Sequence, residues 1–155
     1  MPKQHLGFTL IEMILTIVLF SLLLGISSKL LSSGFSAFAM GDSIKTISSQ
    51  AVMGLERIVY DLRNASSLTS IASNSLTFID QSGTSYTYSV SNGLLQRGSY
   101  TLLNSAQSIT FTYLDSSGNS TNVASATKHV KITLNMQSNN VSLAYATLVG
   151  LRGMN

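Results

Sequence analysis

Lys3-Gln4-His5-Leu6-Gly7-Phe8-Thr9-Leu10-Ile11-Glu12-Met13-Ile14-Leu15-Thr16-Ile17-Val18-Leu19-Phe20 is the stretch on which the reading of this chain turns. It opens an apolar segment, Phe8 to Ser28, in which Glu12 is the one charge. About 20 apolar residues, each rising about 1.5 Å, span a hydrocarbon core about 30 Å thick. Lys3 and His5 come before it, and positive charge ahead of a first span keeps that end in the cytoplasm. Everything beyond the segment is then expected outside. The composition agrees: of 155 residues, 45% are hydrophobic and only 10% charged, against about 25% charged in an ordinary soluble domain. The remainder is rich in Ser, Thr and Asn, which suits an uncharged, strand-rich surface outside the cytoplasm. A net charge of +3, scattered along the chain, does not build a nucleic-acid groove. With no cysteine there is no disulfide and no thiolate site.

Three readings of this N-terminus compete. A plain signal anchor explains the hydrophobicity and the orientation but leaves Glu12 without a role. A secretory signal peptide needs small residues soon after its apolar core. Ala37-Phe38-Ala39 has that look but lies well past Ile26 and Lys29. A leader that is cut ahead of its apolar segment accounts for both the glycine and the glutamate.

Gly7-Phe8-Thr9-Leu10-Ile11-Glu12 resembles the N-terminus of type IV prepilins and of the pseudopilins of type II secretion and DNA-uptake systems. That family has a short basic leader ending in Gly, then an aromatic residue, then an apolar run with Glu at its fifth position. Gly7, Phe8 and Glu12 fall on those positions without a gap. The resemblance implies that a prepilin peptidase cuts between Gly7 and Phe8 at the cytoplasmic face and methylates the new Phe8 amine. It further implies that Glu12 pairs with the Phe8 amine of a neighbouring subunit during filament growth. Physically, a carboxylate inside a bilayer costs at least about 2.5 kcal/mol and is functional by default; a helix N-terminus favours its negative charge. The plain alternative for Glu12 is an interfacial side chain reaching back to the headgroups.

Beyond Ser28, Ile44, Ile47, Ala51, Leu55, Ile58, Leu62 and Ala65 form an apolar stripe at helical spacing. Lys45, Ser49, Glu56, Tyr60 and Arg63 lie opposite, and Arg57 and Asp61 are spaced as an i,i+4 pair. One helix from about Phe8 to Asn64 is therefore expected. A hinge, if there is one, falls at Gly25 or within Ser32 to Gly41, since the only proline is Pro2; a continuous helix is the alternative. After Asn64 the period becomes two. Leu76–Ile79, Tyr86–Val90, Leu94–Arg97, Tyr100–Leu103, Ile109–Leu114, Val130–Leu134 and Val141–Val149 read as strands. Ser91-Asn92-Gly93 and Asp115-Ser116-Ser117-Gly118-Asn119 read as turns. The expected fold class is α+β, a long N-terminal helix packed on an antiparallel sheet head, as in type IV pilins. The expected segments are a leader (1–7), a transmembrane half-helix (8–28), an amphipathic half-helix (29–65) and a β head (66–155).

Asp61-Leu62-Arg63 and the close of the chain near Leu151-Arg152 look like minor subunits of the J or W type. The function this implies is a structural filament subunit that starts or modulates assembly of a pilus or pseudopilus. Its implied partners are prepilin peptidase, other pilin or pseudopilin subunits, the inner-membrane assembly platform and membrane lipid. Its implied place is a single pass of the bacterial inner membrane with the head extracytoplasmic, then the filament. A filament-tip binding module, for a surface or for DNA, is the second hypothesis. A membrane-anchored enzyme is the third, and it would have to use His129, the one histidine outside the leader. No Gly-x-Ser-x-Gly turn accompanies His129. Asp115–Asn119 has a faint calcium-loop look without the run of carboxylates a hard cation needs. No catalytic residue, metal, cofactor or small-molecule substrate is therefore expected.

Overall fold

The computed structural model describes residues 8–152. Its first element is a single helix, α1 (Leu10–Arg63), unbroken at Gly25 and through Ser32 to Gly41. The chain divides into two compact units, Met1–Gly41 and Asp42–Asn155, and α1 contributes to both.

In the first unit, every described residue is exposed. Leu10, Phe20 and Leu30 are 80%, 66% and 70% exposed. The helix is long and apolar enough to cross a membrane. Three of its hydroxyls bond back to the helix: Thr16 Oγ1 donates to the Met13 carbonyl at 2.8 Å, Ser21 Oγ to Ile17 at 2.8 Å and Ser36 Oγ to Ser32 at 3.0 Å. Such back-bonding lets a hydroxyl sit in an apolar surround without an orphaned polar atom.

In the second unit, α1 buries Ser43, Ile47, Ala51, Gly54, Leu55, Ile58, Asp61 and Leu62. This matches the expected stripe except at its two ends: Ala65 is buried, but as the first residue of a strand. Ile44 remains exposed, and the turn is entered instead by Ser43, whose hydroxyl accepts from Asn139 Nδ2 at 3.0 Å. The strands are β1 (Ala65–Ile71), β2 (Ser75–Asp80), β3 (Ser85–Ser91), β4 (Leu94–Arg97), β5 (Tyr100–Asn104), β6 (Ala106–Leu114), β7 (His129–Ser138) and β8 (Val141–Gly150). The expected single set of strands is in fact two antiparallel sheets, β1-β2-β3-β4-β5 and β6-β7-β8. Ser105, at φ 63°, separates β5 from β6, so the chain leaves one sheet and starts the other. Strand β1 was not anticipated. Ala65-Ser66-Ser67-Leu68-Thr69-Ser70-Ile71 has weak strand character, and pairing with β2, through two register shifts, makes it a strand.

Helix and both sheets enclose one core. Ile47, Ile58 and Leu62 of the helix meet Leu76, Phe78, Tyr88 and Leu95 of the first sheet and Ile132, Leu134 and Met136 of the second, all 0–1% exposed. Burying such a side chain contributes about 1.5–3 kcal/mol. Gly54 is part of this fit, because a Cβ there would run into the Leu103 side chain.

Candidate processing and assembly site

The start of α1 is built by its own sequence. Thr9 precedes the first helical residue, and its carbonyl accepts from the N–H groups of Glu12 and Met13 at 3.1 and 3.2 Å. The Glu12 N–H also lies 3.4 Å from Thr9 Oγ1, while Glu12 Oε2 accepts from the Thr9 N–H at 3.4 Å and the Thr9 hydroxyl at 3.3 Å. This reciprocal arrangement is a capping box, which satisfies orphaned donors at a helix start. The Thr9-x-x-Glu12 spacing ahead of an apolar run is its signal in the sequence, a role for Glu12 beyond those expected above. The geometry gives Glu12 a job inside its own chain: it holds a carboxylate at the positive end of the helix, among exposed apolar side chains. Phe8 lies just before it, 78% exposed. Gly7, and with it the bond to Phe8 and the leader 1–7, lie outside the described residues.

In the head, the structure joins residues that are far apart in sequence. Asp61, 5% exposed at its side chain, accepts from Arg97 Nε at 2.6 Å and from the Tyr88 hydroxyl at 2.7 Å. Arg57 NH2 lies 3.2 Å from its other oxygen, the expected i,i+4 pair. The Arg97 guanidinium lies over the Tyr86 ring, 3.5 Å from its centroid. Burial pushes the Tyr88 phenol well above its usual range, and the hydrogen bond to Asp61 pushes it the same way. Burial is the largest influence on Arg97 and works against its charge, but the hydrogen bond to Asp61, the Asp61 charge and the neighbouring Tyr86 and Tyr88 together outweigh it and raise the pKa. A carboxylate with its partners filled by two guanidiniums and a phenol neither attacks nor abstracts protons; it ties the helix to β3 and β4. Of this cluster only the Arg57–Asp61 spacing was legible, because Tyr88 and Arg97 reach Asp61 through pairing of distant strands.

His129 opens β7, half-buried, opposite Leu114 and Gly150. Asp115 Oδ1 accepts from the N–H groups of Ser117 at 2.8 Å and Asn119 at 2.9 Å, so its carboxylate caps its own turn. Those bonds, with that of Asn119 foremost, hold the Asp115 carboxyl below its ordinary range. Among the described residues no cluster of three or more His, Cys, Asp or Glu could hold a metal ion.

Residues 2–28 match the family described as the prokaryotic N-terminal methylation motif. No curated protein matches the chain. The matched residues contain Gly7, Phe8, the capping box and the apolar opening of α1, and the rest of the chain has the pilin-like plan of one long helix packed on antiparallel sheets. Motif and fold together support the type IV pilin and pseudopilin family for this chain, and the motif implies processing by a prepilin peptidase, membrane anchoring and assembly with other pilin subunits.

Proposed function

We propose that the chain is a minor type IV pilin or pseudopilin, a structural subunit that starts or modulates assembly of a filament and catalyses nothing. The observation that carries this reading is the Gly7-Phe8-Thr9-Leu10-Ile11-Glu12 string at the mouth of a helix whose first unit buries no described side chain. Apolar side chains left open on every side need lipid before assembly and other helices after it, since water is the costly alternative. The peptidase cuts between Gly7 and Phe8 and methylates Phe8. The leader stays cytoplasmic and the head lies outside the inner membrane. Glu12, held at the helix start by Thr9, pairs with the Phe8 amine of a neighbouring subunit as the filament grows. The minor J or W type is supported by Asp61-Leu62-Arg63, of which Asp61 and Leu62 are buried and Arg63 exposed.

The test is the N-terminal mass of the full chain expressed with and without a prepilin peptidase. The expected product begins at methylated Phe8, and Gly7→Leu abolishes it. A chain that keeps Met1 in the presence of the peptidase is a signal-anchored protein, and the reading fails.

A further inference from the structure

Among the described residues, β8 is an edge strand of the second sheet, and its Tyr145 hydroxyl lies 2.6 Å from Ser48 Oγ of α1. It pairs with β7 alone, over ten consecutive partners without a register shift. Asn139 and Asn140, at φ 46° and 64°, make the two-residue turn that closes this hairpin. In such a hairpin the residues flanking the turn form a hydrogen-bonded pair, and bonded and unbonded pairs alternate from there. Val141, Leu143, Tyr145, Thr147 and Val149 therefore bond to β7, while the N–H groups of Ser142, Ala144, Ala146 and Leu148 face the free edge. Natural edges are blunted by charge, proline or a bulge. Val141-Ser142-Leu143-Ala144-Tyr145-Ala146-Thr147-Leu148-Val149-Gly150 has none of the three.

A groove of about 570 Å³ lies beside this edge, between α1 and the end of β8. Val52 and Val59 line its helix side, with Val52 48% exposed; Thr147 lines its strand side. Arg63 and Arg152 also line it, against one acid, Glu56. An edge that can bond a strand and an apolar wall for alternate side chains are the parts of a β-augmentation site, and the excess of positive charge favours an acidic partner.

We propose that β8 and this groove take up an extended segment of a partner polypeptide as a fourth, antiparallel strand of the second sheet, with apolar side chains toward Val52 and Val59 and an acidic residue beside Arg63 and Arg152. This rests on the head alone and stands or falls separately from the processing of the N-terminus.

The test uses the full chain in lipid nanodiscs and the peptide acetyl-Asp-Thr-Val-Thr-Val-Thr-Val-Thr-amide, whose Asp and Val side chains share one face. The expected result is saturable binding, with hydrogen exchange slowed at Ser142, Ala144, Ala146 and Leu148. A peptide with Lys in place of its Asp, or an R63E/R152E chain, binds about tenfold more weakly. Ala146→Pro removes an edge N–H that β7 does not use and abolishes binding with an unchanged melting temperature. Should that variant fold poorly, the same peptide with N-methylated threonines, whose N–H groups are the ones that face β8 when the valines face the helix, gives the same answer against the unaltered chain. The proposal is overturned by absence of binding, by protection elsewhere than β8, or by N-methylated peptide that binds as well as the parent. It is equally overturned if the edge proves to be covered by a second copy, seen as self-association that Ala146→Pro abolishes while the peptide does not bind.

Discussion

The two stretches of α1 on either side of Asp42 share one backbone and obey opposite rules. From Phe8 to Asp42 apolar side chains occur all round the helix and none is buried; from Ser43 to Arg63 they recur on one stripe, and that stripe is the helical wall of the core. Apolar content alone therefore does not locate a core, and periodicity does. A helix apolar on every side has no preferred neighbour within its own chain and must be covered from outside. A helix apolar on one side finds its cover in the strands that follow.

Four changes break or sharpen that contrast. Asp61→Ala leaves Arg97 and Tyr88 without their acceptor in the head and should cost about 3–5 kcal/mol, the range for breaking a buried ion pair. Glu12→Gln, in the exposed stretch, should leave head melting where it was; equal shifts from the two would erase the distinction. Gly54→Val drives side-chain atoms into Leu103 and should cost about 1–3 kcal/mol by overpacking. Gly34→Ala meets nothing within 4 Å and should raise helix stability by about 1 kcal/mol. Thermal melts followed by circular dichroism compare these variants.

Alkaline titration tests the head alone. The Tyr88 and Tyr113 phenols both titrate above their ordinary value of 10.0, chiefly because they are buried. The folded state thus prefers the neutral phenol. Its contribution is complete below pH 10 and is lost as the pH climbs from there toward the raised folded-state values. Unfolding by denaturant should show a stability plateau that declines above about pH 10, and Tyr88→Phe should make the decline shallower. The smallest effect belongs to the helix start. Thr9→Ala removes one side of the capping box and should cost about 0.5–1 kcal/mol, read as faster amide exchange at Glu12 and Met13 only.

What could be read in advance follows from how local each cause is. The stripe from Ile47 to Leu62, the Asn92-Gly93 turn (φ 52° and 76°) and the Asp115 turn all arise from neighbours within a few residues, and the structure has each of them. The Thr9–Glu12 box is equally local, but the roles considered for Glu12 were those of a charge in lipid, at a helix N-terminus and toward a neighbouring subunit, none of which involves Thr9. Strand β1 was hidden because its serines carry little strand preference of their own. The exchange of Ile44 for Ser43 at the edge of the core was hidden too, since Asn139 comes from a distant hairpin.

By itself the sequence determined that a cleavable leader pattern meets an apolar helix at Phe8, that the helix turns amphipathic, and that strands follow. Each of these rests on contacts within about four residues, or on transfer of side chains out of water, which needs no particular partner. Only the tertiary structure decided that the strands divide into two sheets, that Asp61 is shared by Arg57, Arg97 and Tyr88, and that β8 is left with an open edge beside a groove. Those outcomes depend on which distant segments pair, and pairing is settled by the one arrangement that buries the helix stripe and both sheet faces together.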